Sequence, residues 1–291
     1  MKVVQYFLPG KGKRVGLIQG DRVLDITSSE EGVHSTLDLV TQGKTAAGLV
    51  SRATWLARRL HRRALDHREL QRAPSRRVPH LVMPIDPPEI WGTAGNGELR
   101  TDGAEPTARP GLFFKGTAAR SVGPNVPVAI RHDSRLTVPE PGLAAVIAAD
   151  GRVAVFTACN DLTARDIAMA HPAYLSQAKV YRGSFALGPC LVTADEFVDP
   201  HTLQVRCSIV RDDEPIFSEA AATVGLPGRL EELAAWLGRD NPCVPGTTVF
   251  VGAWIEVPDA LALRDGDRVD VEVQAVGRLS NFVRDGDALS R

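Results

Sequence analysis

Apolar residues alternate with polar ones in short runs at the start of the chain, VVQYFL, RVGLIQ and RVLDI, the last two separated by Gly20-Asp21. Runs of this kind bounded by turn residues predict strands over residues 1–27. From Ser35 the apolar spacing lengthens to three and four. Leu37, Leu39 and Val40 predict a first helix, and Ala46 to Leu70 predicts a second with Leu56, Leu60 and Leu65 on one face. MPIDPPEIWG, starting at Met83, carries three prolines and reads as a connection. A small α/β domain over residues 1–80 and a larger one over 81–291 are therefore expected.

Beyond that connection the pattern is mostly β. GLFFKGT, VPVAIR, LAAVIAA, VAVFTAC, LGPCLVTA, LQVRCSIV, TTVFVGAWIEV and DRVDVEVQAV are candidate strands, many separated by Asp-Gly or Gly-rich turns. DLTARDIAMA, and RLEELAAWLGRD from Arg229, interrupt them with a helical period. Many strands with few helices predict a mainly β member of the α+β class, with a rolled or barrel-like sheet rather than a doubly wound one. One stretch, LTVPEPGLAAVIAADGRV (Leu136 to Val153), reads as a proline-rich corner running into an apolar strand. It carries Glu140 and, two positions on, Gly142. Alternate residues of an extended chain face the same side, so such a corner can aim carboxylates at a cation, but here only one is aimed.

Composition narrows the function classes. The chain has 291 residues, 34 basic against 35 acidic, for a net charge of -1, so no global field draws it to nucleic acid or an anionic membrane. An arginine-rich stretch (Arg58, Arg59, Arg62, Arg63, Arg68, Arg72, Arg76, Arg77) invites a nucleic-acid reading. A solvated helix face is the favoured alternative, because no aromatic stacking platform accompanies it. No apolar run approaches the roughly 20 residues that span a bilayer, and MKVVQYFLPGKGKRVGL lacks the apolar core of a signal peptide. Cys159, Cys190, Cys207 and Cys243 form no CxxC pair. A cytoplasmic protein without nucleic-acid or membrane partners is expected.

There is no GxGxxG after a strand, no Walker A, no HExxH and no GxSxG; GTAGNG, Gly92 to Gly97, reads only as a loop. Four other segments stand in order. They are RPGLFFKGTAARSVG from Arg109, VPEPGLAAVIAADG with Glu140, TACNDLTARD with Asp161, Arg165 and Asp166, and HPAYLSQAKVYRGSFALGP with Lys179. Together they resemble the fumarylacetoacetate hydrolase family, in its 2-keto-3-deoxy-D-arabinonate dehydratase branch. That branch carries RPExFFK, PEPELAVV, DDxSARD and YLPQxKxYxxxxAxGP in the same order, a PIDPPEVWG segment like PIDPPEIWG here, and a DNPxPxGT segment like DNPCVPGTT at Asp240. The resemblance covers roughly Met83 to Val283.

The resemblance implies a β-roll catalytic domain, a homodimer, and a Mg²⁺ or Mn²⁺ ion that chelates a small carboxylate substrate. Such an ion polarises the carbonyl of a 2-oxo or β-dicarbonyl acid and stabilises the enolate formed when a neighbouring proton leaves. By position it implies Glu140 and Asp161 as metal ligands and Lys179, Arg109 and Lys115 as catalytic residues. Phe114, Ser121, Arg165, Tyr181 and Gly252 are expected around the substrate. Read alone, Asp161 would serve as a helix N-cap before LTARD, and Lys179 as a surface lysine.

The departures fall on the same site. Gly142 stands where the branch has its second PEPEL glutamate, and Gly111 where RPExFFK has its own. ELRTDGAEPTA, between Gly97 and Arg109, is shorter than the branch's lid region. FVGAW around Gly252 replaces a TGT, and Arg182 stands where many members have an aspartate. Three readings stay open: an enzyme of lyase, tautomerase or C–C hydrolase type with a weakened metal site; a metal-independent family member of a specialised pathway, using Lys179, Glu140 and Asp161 as acid/base groups; and a catalytically silent binding protein. Simple sugar-acid dehydration is disfavoured, since it needs two proton-transferring groups and Gly111 removes one candidate. His132 and His171 fall outside the motif positions.

Overall fold

The computed structural model describes residues 1–60, 64–94, 110–223 and 230–286. The first two strands, β1 (Lys2–Leu8) and β2 (Gly12–Gln19), form a hairpin in register from Lys2 opposite Ile18 to Leu8 opposite Gly12. Gly10 and Gly12 both take φ +75° in its turn, a conformation that costs a side-chain-bearing residue. Strand β3 (Arg22–Asp25) follows, then helix α1 (Thr36–Gly43) and helix α2 (Ala46–Leu60). Ser35 and Asp38 start α1 with a reciprocal capping box, and α2 buries Leu49, Ala53 and Leu56.

The helical period expected to continue to Leu70 does not. Leu65–Asp66 is a short strand, β4, paired with Arg22 and Val23, and Asp66 then caps a 3₁₀ turn that buries Leu70. Pairing with the edge of β3 overrides the local apolar spacing here. Arg62 and Arg63 lie outside the described residues.

The remaining strands are β5 (His80–Leu81), β6 (Ile90–Ala94), β7 (Gly111–Gly116), β8 (Ser121–Val122), β9 (Val128–Ile130), β10 (Thr137–Ile147) and β11 (Val153–Ala164). Two short helices, α3 (Arg165–Ala170) and α4 (Leu175–Lys179), come next. Then follow β12 (Phe185–Thr193), β13 (Gln204–Arg211), β14 (Glu214–Ala222), helix α5 (Leu230–Leu237), β15 (Thr248–Gly252), β16 (Arg268–Val273) and β17 (Gly277–Asp285). The fold is a mainly β α+β one, as the strand pattern predicts. No helix of the described residues is long and apolar enough to cross a membrane.

The larger sheet runs β4-β3-β2-β1-β12-β11-β10-β15-β6-β7, with β5 on β1 and β8 on β12. Strand β1 joins β12 with Lys2 opposite Val192, so the N-terminal hairpin extends the sheet that carries the motifs. The smaller sheet runs β14-β13-β16-β17-β9. Side chains alternate between two cores. Ala144, Val146 and Phe250 pack with Leu49 and Leu56 of α2, while Leu143, Ala145 and Phe156 pack with Val269, Val271 and Leu279 of the smaller sheet. Burying both faces explains why these central strands read as near-continuous apolar runs. The proline-rich corner is itself strand. β10 runs unbroken through Pro139, Glu140 and Pro141, and β11 runs through Asp161, so this aspartate is not a helix cap.

Candidate active site

Strands β10 and β11 place Glu140 directly opposite Asp161. With its side chains alternating, β11 puts Cys159, Asp161 and Thr163 on one face, and β10 adds Glu140 and Gly142 to it. This is the face that carries the α2 core, continued past the last apolar layer. Lys179 closes the pair from the end of α4. Its Nζ donates to Glu140 Oε2 at 2.7 Å and to Asp161 Oδ2 at 2.7 Å. The other carboxylate oxygens are engaged too: Thr163 Oγ1 donates to Glu140 Oε1 at 2.6 Å, and Lys115 Nζ lies 2.6 Å from Asp161 Oδ1.

The result is a tetrad of two carboxylates and two lysines with no net formal charge. Lys115, fully buried on β7, also donates to the backbone carbonyl oxygens of Lys179 and Leu162. The Lys179 carbonyl accepts a further bond, at 2.9 Å, from Ser184 Oγ. Lys115 therefore fixes the backbone of the residue whose ammonium bridges the carboxylates.

Burial acts differently on the two amines. It pulls Lys115 from the usual lysine value of 10.5 down to about 8, against the attraction of Asp161 and with the repulsion of Lys179. Burial also lowers Lys179, but Asp161 and Glu140 together outweigh it and hold its pKa above 10.5. Burial and then the Asp161 charge push the Tyr181 phenol and the Cys159 thiol upward.

The tetrad opens on a cleft of about 540 Å³, lined among others by Thr93, Phe113, Arg165, Met169, Ile255 and Glu256. Glu140 keeps a quarter of its side chain exposed there, whereas Asp161 has none. Of the two carboxylates, only Glu140 is within reach of a ligand in the cleft. Arg165 lines the cleft as well, held by Asp259 and by the Val257 carbonyl at 3.1 Å.

The other expected site residues are placed as follows. Phe114 lies on the opposite face of β7, packed edge-on against Trp91 at 5.4 Å between centroids; Phe113 is the phenylalanine of the cleft, its ring centroid 5.5 Å from Lys179 Nζ. Tyr181 lies beneath the site, its ring centroid 6.0 Å from Lys115 Nζ. Ser121 bonds the Thr117 carbonyl and pairs with Phe185, away from the cleft lining. Gly252 contributes backbone opposite Gly142. Arg109 lies outside the described residues, as does the whole of the shortened segment before it. Gly111 starts β7, exposed and paired with Ala94.

The donor set of the described residues does not fit a divalent ion. Mg²⁺ needs open oxygen ligands at about 2.0–2.1 Å in near-octahedral array, and here Lys179 Nζ stands between the two carboxylates; three of their oxygens accept hydrogen bonds, and buried Asp161 Oδ1, which accepts none, is ion-paired to Lys115. A side chain at position 142 has no room to supply a further ligand: its Cβ would lie 2.5 Å from the Val251 carbonyl oxygen and 3.0 Å from Cys159 Sγ. Among the described residues no three His, Cys, Asp or Glu side chains converge as a metal site.

Sequence reasoning missed Thr163, Phe113, Glu256 and Asp259. The parity of β11 pointed to Thr163, two residues from Asp161, and the parity of β7 pointed to Phe113, two residues from Lys115. Nothing in the sequence pattern marked Glu256, which follows β15, or Asp259, which opens a 3₁₀ turn.

Residues 92–284 match the fumarylacetoacetate (FAA) hydrolase C-terminal family. A 2-dehydro-3-deoxy-D-arabinonate dehydratase of Saccharolobus solfataricus is 34% identical, over 70% of this chain and 74% of that protein. A mitochondrial oxaloacetate tautomerase of Bos taurus is 26% identical, over 97% of this chain and 91% of that protein. Among solved structures, a 2-keto-3-deoxy-D-arabinonate dehydratase complexed with magnesium and 2,5-dioxopentanoate matches with a TM-score of 0.80 at 26% identity, covering 98% of this chain and 99% of that one.

Proposed function

Because this chain belongs to the fumarylacetoacetate hydrolase family, whose matching members are enzymes acting on small acids, we propose that it catalyses enolate chemistry on a small 2-oxo or β-dicarbonyl carboxylic acid. In this reading Lys179, rather than a divalent ion, supplies the positive charge at the reacting oxygen. The observation that carries it is the Lys179 ammonium held at 2.7 Å from both Glu140 and Asp161, with only Glu140 open to the cleft.

Keto–enol tautomerisation, the reaction named for the bovine relative, asks least of such a site. Glu140 takes the proton from the carbon beside the carbonyl. The electron pair moves onto the carbonyl oxygen, where the Lys179 ammonium stabilises it and donates a proton; Glu140 then hands its proton to Lys179. Atoms and charge balance without a co-reactant, and Asp161 holds the ammonium in place throughout. Arg165, charged and on the cleft wall, receives the substrate carboxylate. Dehydration asks for a second proton-transferring group to assist hydroxide departure, and Gly111 offers no side chain for it.

The test is enol–keto interconversion of oxaloacetate, followed by ultraviolet absorbance, on chelator-treated protein with and without added Mg²⁺. The expected result is turnover that survives chelation and falls about 10²- to 10⁴-fold in Glu140→Gln. Turnover that requires Mg²⁺ would overturn the lysine reading in favour of a metal-assisted one, which the magnesium-bound relative supports.

A further inference from the structure

The cleft beside the tetrad is larger than a short 2-oxo acid requires, and part of its wall is apolar. Its volume of about 540 Å³ lies in the range of sites that enclose whole drug-sized ligands, roughly 300–1,000 Å³. Six of its thirteen lining residues are apolar and come from three separate segments: Phe113 of β7, Ala168, Met169 and Leu175 of α3 and α4, and Ala253 and Ile255 after β15; the other seven are polar or charged. Met169, an unbranched thioether, is 64% exposed.

Several polar groups of the cleft already bond one another or a neighbouring carbonyl. Thr163 bonds Glu140, Lys179 bridges both carboxylates, and Arg165 is tied to Asp259 and the Val257 carbonyl. A polyhydroxylated chain laid over Met169, Leu175 and Ile255 would set its hydroxyls against side chains that offer no conventional hydrogen bond. An apolar chain in the same place gains from burial.

Resting on the enolate reading above, we propose that the substrate is a 2-oxo or β-dicarbonyl acid with an apolar tail. Its carboxylate and carbonyl face Arg165 and Lys179, and its tail lies on Met169, Leu175, Phe113 and Ile255. This differs in substrate class from the sugar acids named for the dehydratase relatives.

Binding to the full chain tests it without presuming turnover. Calorimetric titration would compare pyruvate, straight-chain 2-oxo acids of increasing length, and 2-keto-3-deoxyarabinonate. Affinity is expected to rise about fourfold per added methylene, from roughly 0.8 kcal/mol per buried CH₂, with the hydroxylated acid binding no better than pyruvate. Met169→Gln with Leu175→Gln should flatten the length dependence. A flat series, or tighter binding of the hydroxylated acid, overturns the proposal. Simple carboxylates of the same lengths separate it from the enolate reading. Length-dependent binding of these with no binding of any 2-oxo acid would remove that reading and keep the apolar-tail site; no binding of either series removes both.

Discussion

Gly142 on β10 faces Gly252 on β15, and the two strands meet so closely there that neither position has room for a side chain. A Cβ at Gly142 would sit 2.5 Å from the Val251 carbonyl oxygen, and one at Gly252 would sit 2.7 Å from the Pro141 carbonyl oxygen. Backbone, not an empty ligand position, occupies the place of the branch's second glutamate. Gly142→Glu is therefore predicted to destabilise by about 1–3 kcal/mol, the range for overpacked interiors, and to create no metal site. Urea denaturation with and without 1 mM Mg²⁺ checks both parts. A site of 10 µM affinity would add about 2.7 kcal/mol at that concentration. A stable variant that gains such stabilisation would show that β15 can withdraw and a ligand position was merely vacated.

The tetrad makes a second prediction through coupling. Lys179 bridges Glu140 and Asp161 and is 8% exposed at its side chain, while Asp161 is fully buried. Removing one partner of a buried ion pair costs about 3–5 kcal/mol, because the other charge stays behind. Lys179→Met and Asp161→Asn should each lose stability on that scale, and the double variant should lose clearly less than the sum. Equilibrium unfolding of the wild type, both singles and the double gives the coupling. Additive losses would mean that the bridge contributes nothing cooperative.

The three charged anchors of this tetrad were legible because the motif residues Glu140, Asp161 and Lys179 recur in fixed order, and strand register then forces the first two face to face. What was illegible depended on tertiary placement. Phe114 looked equivalent to Phe113 until the strand's parity assigned one to Trp91 and the other to the cleft. Leu65 continued a helical period, yet pairing with β3 made it strand. Glu256 follows β15 without periodicity and Asp259 opens a short 3₁₀ turn; only the fold brings Asp259 to Arg165 and both to the cleft.

Lys115 predicts a pH dependence of stability. In the folded chain it loses its proton near pH 8, whereas an unfolded lysine does so near 10.5. Below pH 8 the full cost of its buried charge is present in the folded state. Between about 8 and 10.5 the unfolded state binds more protons, so stability contributed by this group rises with pH. Lys179, whose pKa is raised, contributes oppositely, and its stabilisation is lost only above 10.5. The difference in stability between wild type and Lys115→Met should thus shift in favour of wild type from pH 7.5 to 9.5. Denaturation at four pH values reads this directly, and a constant difference would place the Lys115 pKa outside the window.

Thr163 is predicted to orient the reacting carboxylate. Its hydroxyl donates to Glu140 Oε1 at 2.6 Å while Lys179 holds Oε2, so the carboxylate plane is fixed by one neutral and one charged donor. A hydrogen bond to a charged group is worth about 1.5–3 kcal/mol. If that energy holds Glu140 in its productive rotamer, Thr163→Val should lower kcat for oxaloacetate tautomerisation by about 10- to 100-fold with little change in KM. Thr163→Ser keeps the hydroxyl and should recover most of the loss, although it removes the same methyl packing that a purely structural role would require. A loss in the serine variant with little in the valine variant would assign Thr163 to packing. A loss confined to KM would assign it to substrate contact instead.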